Sequence, residues 1–167
     1  NPEEGELRPQ LLDRFPLSVG VERIASVTDR IEVVKRNIEF ERNPQRFCEE
    51  FKTAQEELGN KIAQARDVLP QVEMPEKLLE AVCKACAELK VDGMRPDIVI
   101  SKAAATLAAF EDRTTVTLND VLLAAELTLS HRTREGGFLE PATPEEIQKT
   151  FMAKAKEVQY EEKRESL

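Results

Sequence analysis

The chain has 167 residues, 41% of them hydrophobic, which suits one respectable core or a small core with an extension and excludes two large domains. Its 32 acidic and 24 basic side chains leave a formal charge of −8 that opposes phosphate-backbone binding, and Lys35-Arg36 and Lys163-Arg164 form no basic stripe. There is no apolar run near the roughly 20 residues that span a bilayer, no signal-peptide pattern, and only an odd three cysteines, so a cytoplasmic protein with no nucleic-acid or membrane partner is expected.

In chain order, Asn1-Pro2-Glu3-Glu4-Gly5 joins an amide side chain to turn formers, and residues 7–14 read as a short helical segment carrying Arg8 and Arg14. This layout suits an ATP site shared between subunits. Leu17-Ser18-Val19-Gly20-Val21 alternates apolar with small or polar residues after Pro16 and reads as the one convincing strand. A lone strand needs a sheet to join, so sequence preceding Asn1 is expected. Thr28 and Asp29 can open a helix with Val27, Ile31, Val34 and Ile38 on the 3.6 period, closed by Asn43-Pro44. A broken helical region follows, with Phe47, Phe51, Leu58, Ile62, Ala65 and Leu69 inward, Gly59 as its weak point and Pro70 as its stop.

Pro75 starts the next helix, which runs to about Lys90 with Leu78, Val82, Ala85 and Leu89 on one face. Cys83 and Cys86 fall inside this pattern and read as two small buried thiols. A closed zinc site needs four ligands, and Cys48 and His131 are the remaining soft candidates, so no metal site is expected. Asp92-Gly93 makes a turn. Residues 96–111 form a helix with Pro96 in its first turn, Asp97 near its positive end, and Ile100, Ala103, Ala104, Leu107 and Phe110 packed closely on neighbours. Thr117-x-x-Asp120 is a capping-box start for a helix with Leu118, Leu122, Ala125 and Leu129 inward and His131, Arg132 and Arg134 near its negative end. Residues 134–141, with Gly136-Gly137, read as a flexible linker. Thr143-Pro144 then opens a last helix through Ile147, Phe151, Ala155 and Val158, whose charged end is expected to fray.

The catalytic inventory is thin for a self-contained enzyme. There is one His, no G-x-S-x-G, no H-E-x-x-H and no G-x-x-x-x-G-K-[ST] in these residues, so ATP turnover by this stretch alone is not expected. It can offer positioning and positive charge, which is most of what phosphoryl transfer asks of a protein beyond its Mg²⁺ site.

Asn1-Pro2-Glu3-Glu4-Gly5 followed by Leu-Arg-Pro-Gln-Leu-Leu-Asp-Arg-Phe resembles the ATPase subunit of magnesium chelatase and its AAA+ relatives. The resemblance runs from Asn1 to about Arg134 and is strongest in the first fifteen residues and around residues 92–110. It implies a mainly α fold: the end of an AAA+ α/β core (residues 1–22, with one strand and the arginine-finger helix), a helical lid with sensor 2 (residues 23–135), and a linker with a C-terminal helix (residues 136–167). By resemblance, Asn1 is the sensor-1 residue that holds the attacking water or the γ-phosphate. Arg14 is the arginine finger that enters the neighbouring subunit's site, a role worth about 10³–10⁵ in rate. Arg8 competes for that trans contact, and Arg95 is the sensor-2 residue that reaches the phosphates.

Each residue also has a plainer reading. Residues 1–5 can be only a turn, Arg14 can pair with Asp13 or Glu6 at the surface, Arg95 can be a helix-end arginine, and His131 a helix C-terminal cation. The resemblance further implies ATP and Mg²⁺, bound mainly by residues upstream, in a homo- or hetero-oligomeric AAA+ ring with other chelatase subunits. That ring couples ATP hydrolysis to Mg²⁺ insertion into protoporphyrin IX. The tail after Gly136 resembles the linker of longer chelatase subunits that continue into a von Willebrand A domain. Cobalt insertion, a MoxR-like chaperone, a DNA-translocating motor and a non-enzymatic helical interaction module stay open beside this reading.

Overall fold

A helix begins where its orphan N–H groups find a partner or are absent, and the sequence marks these starts well. In the computed structural model, which describes Leu11, residues 14–21 and residues 23–165, six α-helices have both ends among the described residues. Helix α1 (Val27–Arg42) is capped by Ser26, whose hydroxyl accepts from the Asp29 amide at 3.3 Å, so the cap lies two residues before Thr28. Helix α2 (Pro44–Val68) is capped by the Asn43 side-chain oxygen, which accepts from the Arg46 amide at 3.0 Å, and has Pro44 as its first residue. Helix α3 (Glu76–Glu88) follows Pro75, and α4 (Arg95–Phe110) carries Pro96 in its first turn. Helix α5 (Leu118–Leu129) opens with a reciprocal capping box between Thr117 and Asp120. Helix α6 (Pro144–Glu165) opens with the Thr143 hydroxyl accepting from the Glu146 amide at 3.2 Å.

The expected strand over residues 17–21 does not form. Among the described residues the only β pairing is isolated bridges, Glu73 with Thr115, Val91 with Arg134 and Arg134 with Leu139. Alternation buries a face only when a neighbouring strand is present. Val19 and Val21 are instead 71% and 93% exposed, and the Ser18 amide donates to the Leu127 carbonyl at 2.8 Å. The mainly α class holds without that strand.

By packing, the chain divides into residues 20–64 and a second unit made of residues 65–167 and the described residues up to Val19. In the first unit α1 has no buried residue, and the stripe Val27, Ile31, Val34 and Ile38 is exposed rather than inward. Its contacts include an aromatic cluster: Phe47 meets Phe40 edge-on at 5.7 Å and Phe51 at 4.8 Å, with the Arg36 guanidinium 5.6 Å from the Phe51 ring centre. Helix α2 runs unbroken through Gly59, because one exposed glycine costs only about 1 kcal/mol against a helix of good formers.

In the second unit α4 packs most extensively on α5, and α6 packs on α3 and α5. The core joins Val82, Ala85, Cys86 and Leu89 of α3 to Ile100, Ala104 and Ala108 of α4, Val121, Ala124, Ala125 and Leu129 of α5, and Ile147 and Phe151 of α6. Ala155 and Val158 are buried too, so the face expected for α6 is the one observed. On α5 the buried face turns toward Val121, Ala124 and Thr128, leaving Leu118 and Leu122 half-buried, because α5 is covered from two sides. Cys86 is buried but Cys83 is exposed, since residues three apart sit on adjoining rather than identical faces. Helix α6 extends to Glu165, and Lys84 of α3 holds Glu161 at 2.6 Å.

Candidate functional site

Of the two arginines in the first segment, Arg8 lies outside the described residues, as does Asn1. Arg14 is exposed, and its amide donates to the Leu11 carbonyl at 2.9 Å, which closes a turn. The chain beyond it is fastened to the end of α5. His131 Nε2 lies 2.9 Å from the Phe15 carbonyl oxygen, and the Ser18 amide reaches Leu127. A carbonyl only accepts, so Nε2 carries the proton and Nδ1 is the bare nitrogen. That Nδ1 is buried and has no hydrogen-bond partner among the described residues. Burial, the largest influence, holds the His131 pKa below its ordinary value, the Phe15 carbonyl acts in the opposite direction, and the Arg132 cation adds to the depression.

The last four carbonyls of a helix have no intrahelical partner, and α5 shows where each one goes. Glu126 accepts from the Ser130 amide at 3.3 Å, Leu129 from the Arg132 amide at 3.1 Å, and Thr128 from Arg132 Nε at 3.1 Å. The Leu127 carbonyl is taken by Ser18, from the arginine segment. His131 therefore does not cap its own helix.

Arg95 is the first residue of α4 and is exposed, between an exposed Met94 and a buried Pro96. Its base is stiff. Gly93 has φ +74°, a backbone state that side chains other than hydrogen strain to reach, and it turns the chain into the helix. The residues expected as a flexible linker brace this turn. The Asp92 carboxylate accepts from the Gly136 amide at 2.8 Å, the Glu135 amide donates to the Lys90 carbonyl at 3.0 Å, and Lys90 Nζ meets the Glu135 carboxylate at 3.1 Å. Arg134 fixes the other side, with Nη1 2.8 Å from Glu146 and Nε 2.8 Å from the Glu140 carbonyl. Gly136 and Gly137, at φ +69° and +92°, serve a tight turn rather than freedom of motion.

Arg14 and Arg95 thus stand as exposed cations on well-supported bases within one packing unit. Such groups suit phosphate oxygens and the charge that develops on a transferring phosphoryl group. They do not suit a cation. Among the described residues no group of three or more His, Cys, Asp or Glu side chains converges as a metal site, and no helix is long and apolar enough to cross a membrane. The sequence marked Arg14 and Arg95 but missed His131, Asp92 and Arg134 as supports. For Asp92 the signal was there, an Asx residue before Gly93; for His131 it was not, because its partner is 116 residues away.

The family described as the AAA lid domain matches residues 79–151, from within α3 into α6. The magnesium-chelatase subunit ChlI homolog of Methanocaldococcus jannaschii is 48% identical over 141 residues, covering 84% of this chain and 39% of that protein. Magnesium-chelatase subunit ChlI of Synechocystis is 43% identical over 151 residues, 90% of this chain and 42% of that protein. The ChlI subunit of Cyanophora paradoxa is 42% identical over 151 residues, with 44% of its length covered. The chain spans less than half the length of these curated relatives.

Proposed function

We propose that this chain, which belongs to the magnesium-chelatase-like AAA+ ATPases, supplies the lid and the trans-acting arginine of an ATP site completed by other parts of a longer protein and by a neighbouring subunit. The observation that carries the reading is the conjunction of an AAA lid domain with an exposed arginine fastened beside it, Arg14 being one residue from the carbonyl that His131 holds. On this reading Arg14 enters the neighbour's site and neutralises charge on the γ-phosphoryl group, with Arg8 as the competing trans contact. Arg95 reaches the phosphates from the lid, and Asn1 orients the attacking water in its own subunit. ATP and its Mg²⁺ are held mainly by residues outside this stretch, where a phosphate-cradling loop belongs.

The similar proteins are named magnesium-chelatase subunits, which supports magnesium chelation as the coupled work. On this reading Mg²⁺ and protoporphyrin IX are the substrates of a ring built with other chelatase subunits. In the full-length protein, Arg14→Ala is expected to lower ATP turnover by about 10³-fold or more while nucleotide binding stays near normal. Steady-state ATPase assays with a parallel nucleotide-binding titration check this. Normal turnover by Arg14→Ala removes the finger assignment.

A further inference from the structure

We propose that His131 is a positioning residue for Arg14, its Nε2–H clamping the Phe15 carbonyl to the end of α5 so that the lid and the arginine segment move as one body. The inference rests on the reading above that Arg14 acts on nucleotide in the neighbouring subunit.

Leu127 stands in the last turn of α5 and His131 lies two residues past its end. The segment after Arg14 runs past this helix end in the opposite direction, Phe15 against His131 and Ser18 against Leu127. Between the two contacts sits Pro16, whose ring fixes φ and which has no amide of its own to offer. Two hydrogen bonds separated by a stiff residue define a direction, where one defines only a hinge. The contact is also well chosen chemically. Nδ1 is buried without an acceptor among the described residues, so a second proton finds no partner there, which favours the single-donor form that a carbonyl requires. The Leu127 carbonyl is an orphan of the helix end, so the Ser18 bond takes nothing from the helix itself. Arg14 therefore follows α5, and α5 is the helix against which both α4, with Arg95 at its start, and α6 are packed.

The test uses the full-length ATPase assembled with its own subunits. His131→Phe keeps an aromatic ring and removes the donor; His131→Gln keeps an N–H at a similar reach. His131→Phe is expected to lower kcat for ATP by about 10- to 100-fold with KM little changed, since a misplaced group costs rate rather than substrate binding. His131→Gln is expected to keep most of the wild-type kcat. Hydrogen exchange at the Ser18 amide should quicken in His131→Phe and not in His131→Gln. Ser18→Pro, which removes the second tether at a site away from the core, should lower kcat in the same manner. Wild-type kcat in His131→Phe, or equal loss in the Phe and Gln variants, overturns the positioning role. Arg14→Ala run in parallel separates the two ideas. If it is inactive while His131→Phe is normal, only the clamp falls; if it turns over normally, the reading of Arg14 falls and the clamp with it.

Discussion

Asp120 shows how much one buried carboxylate can hold. It is 7% exposed at its side chain, closes the α5 capping box by accepting from the Thr117 amide at 2.8 Å, and takes both arms of the Arg113 fork at 2.9 and 2.7 Å. Burial alone pushes the Asp120 carboxyl up, but the Arg113 fork and the Thr117 donors outweigh it and hold the carboxyl below its ordinary value. A depressed folded-state value means that the stabilisation is fully present above the unfolded carboxylate range and is lost as pH falls through the folded value. Asp120→Ala is expected to destabilise the fold by about 2–3 kcal/mol through the lost cap and the broken fork, and to flatten the acid side of the stability profile. Denaturant titrations from neutral to acidic pH check both. The Thr117–Asp120 half of this cluster was legible because a capping box is local in sequence. The Arg113 half was not: it depends on the chain doubling back after α4 through Asp112, at φ +57°. His131 failed for a stronger version of the same reason, since its position at a helix end was readable and its partner was not.

At the level of elements, the start of α4 depends on Gly93. Nothing lies within 4 Å of where a Cβ would stand there, so the demand is purely one of backbone conformation. Gly93→Ala is expected to cost about 1–2 kcal/mol, with Gly93→Asn milder because Asn tolerates the left-handed region, as measured by chemical denaturation. Helices α3 to α6 were legible from their period and caps because each buries one apolar stripe, whereas α1 leaves its stripe exposed and α2 runs through the expected break at Gly59. Residues 17–21 and 134–141 were misread for opposite reasons. Residues 17–21 have the alternation of a strand but no neighbouring strand among the described residues, so the local pattern has nothing to act on. Residues 134–141 have the glycines of a loose linker, yet Lys90 and Asp92 in the turn before α4 and Glu146 in α6 take up their polar groups. Glycine content alone does not distinguish a tight turn from a free one.

On the scale of the whole molecule, the candidate site is distributed. The arginine segment, the α4 start and the α5 end each present one part, and the similar chelatase subunits are more than twice as long as the region matched. In the full-length protein Arg95→Ala is expected to weaken ATP binding or slow hydrolysis by about 10-fold or more, as suits loss of a charge-assisted phosphate contact. Nucleotide titration with turnover assays checks this, and unchanged values for both reduce Arg95 to a helix-start residue. The placement of Arg95 also bears on the alanine seam, where Ala104 and Ala108 of α4 share a core with Ala124 and Ala125 of α5. Alanine has no rotamers to lose, so this contact forms without side-chain entropy cost. For the same reason it has no rotamer with which to absorb an added methyl group, and any enlargement has to part the helix axes. An enlargement at this seam is therefore expected to shift α4, with Arg95 as its first residue, against α5.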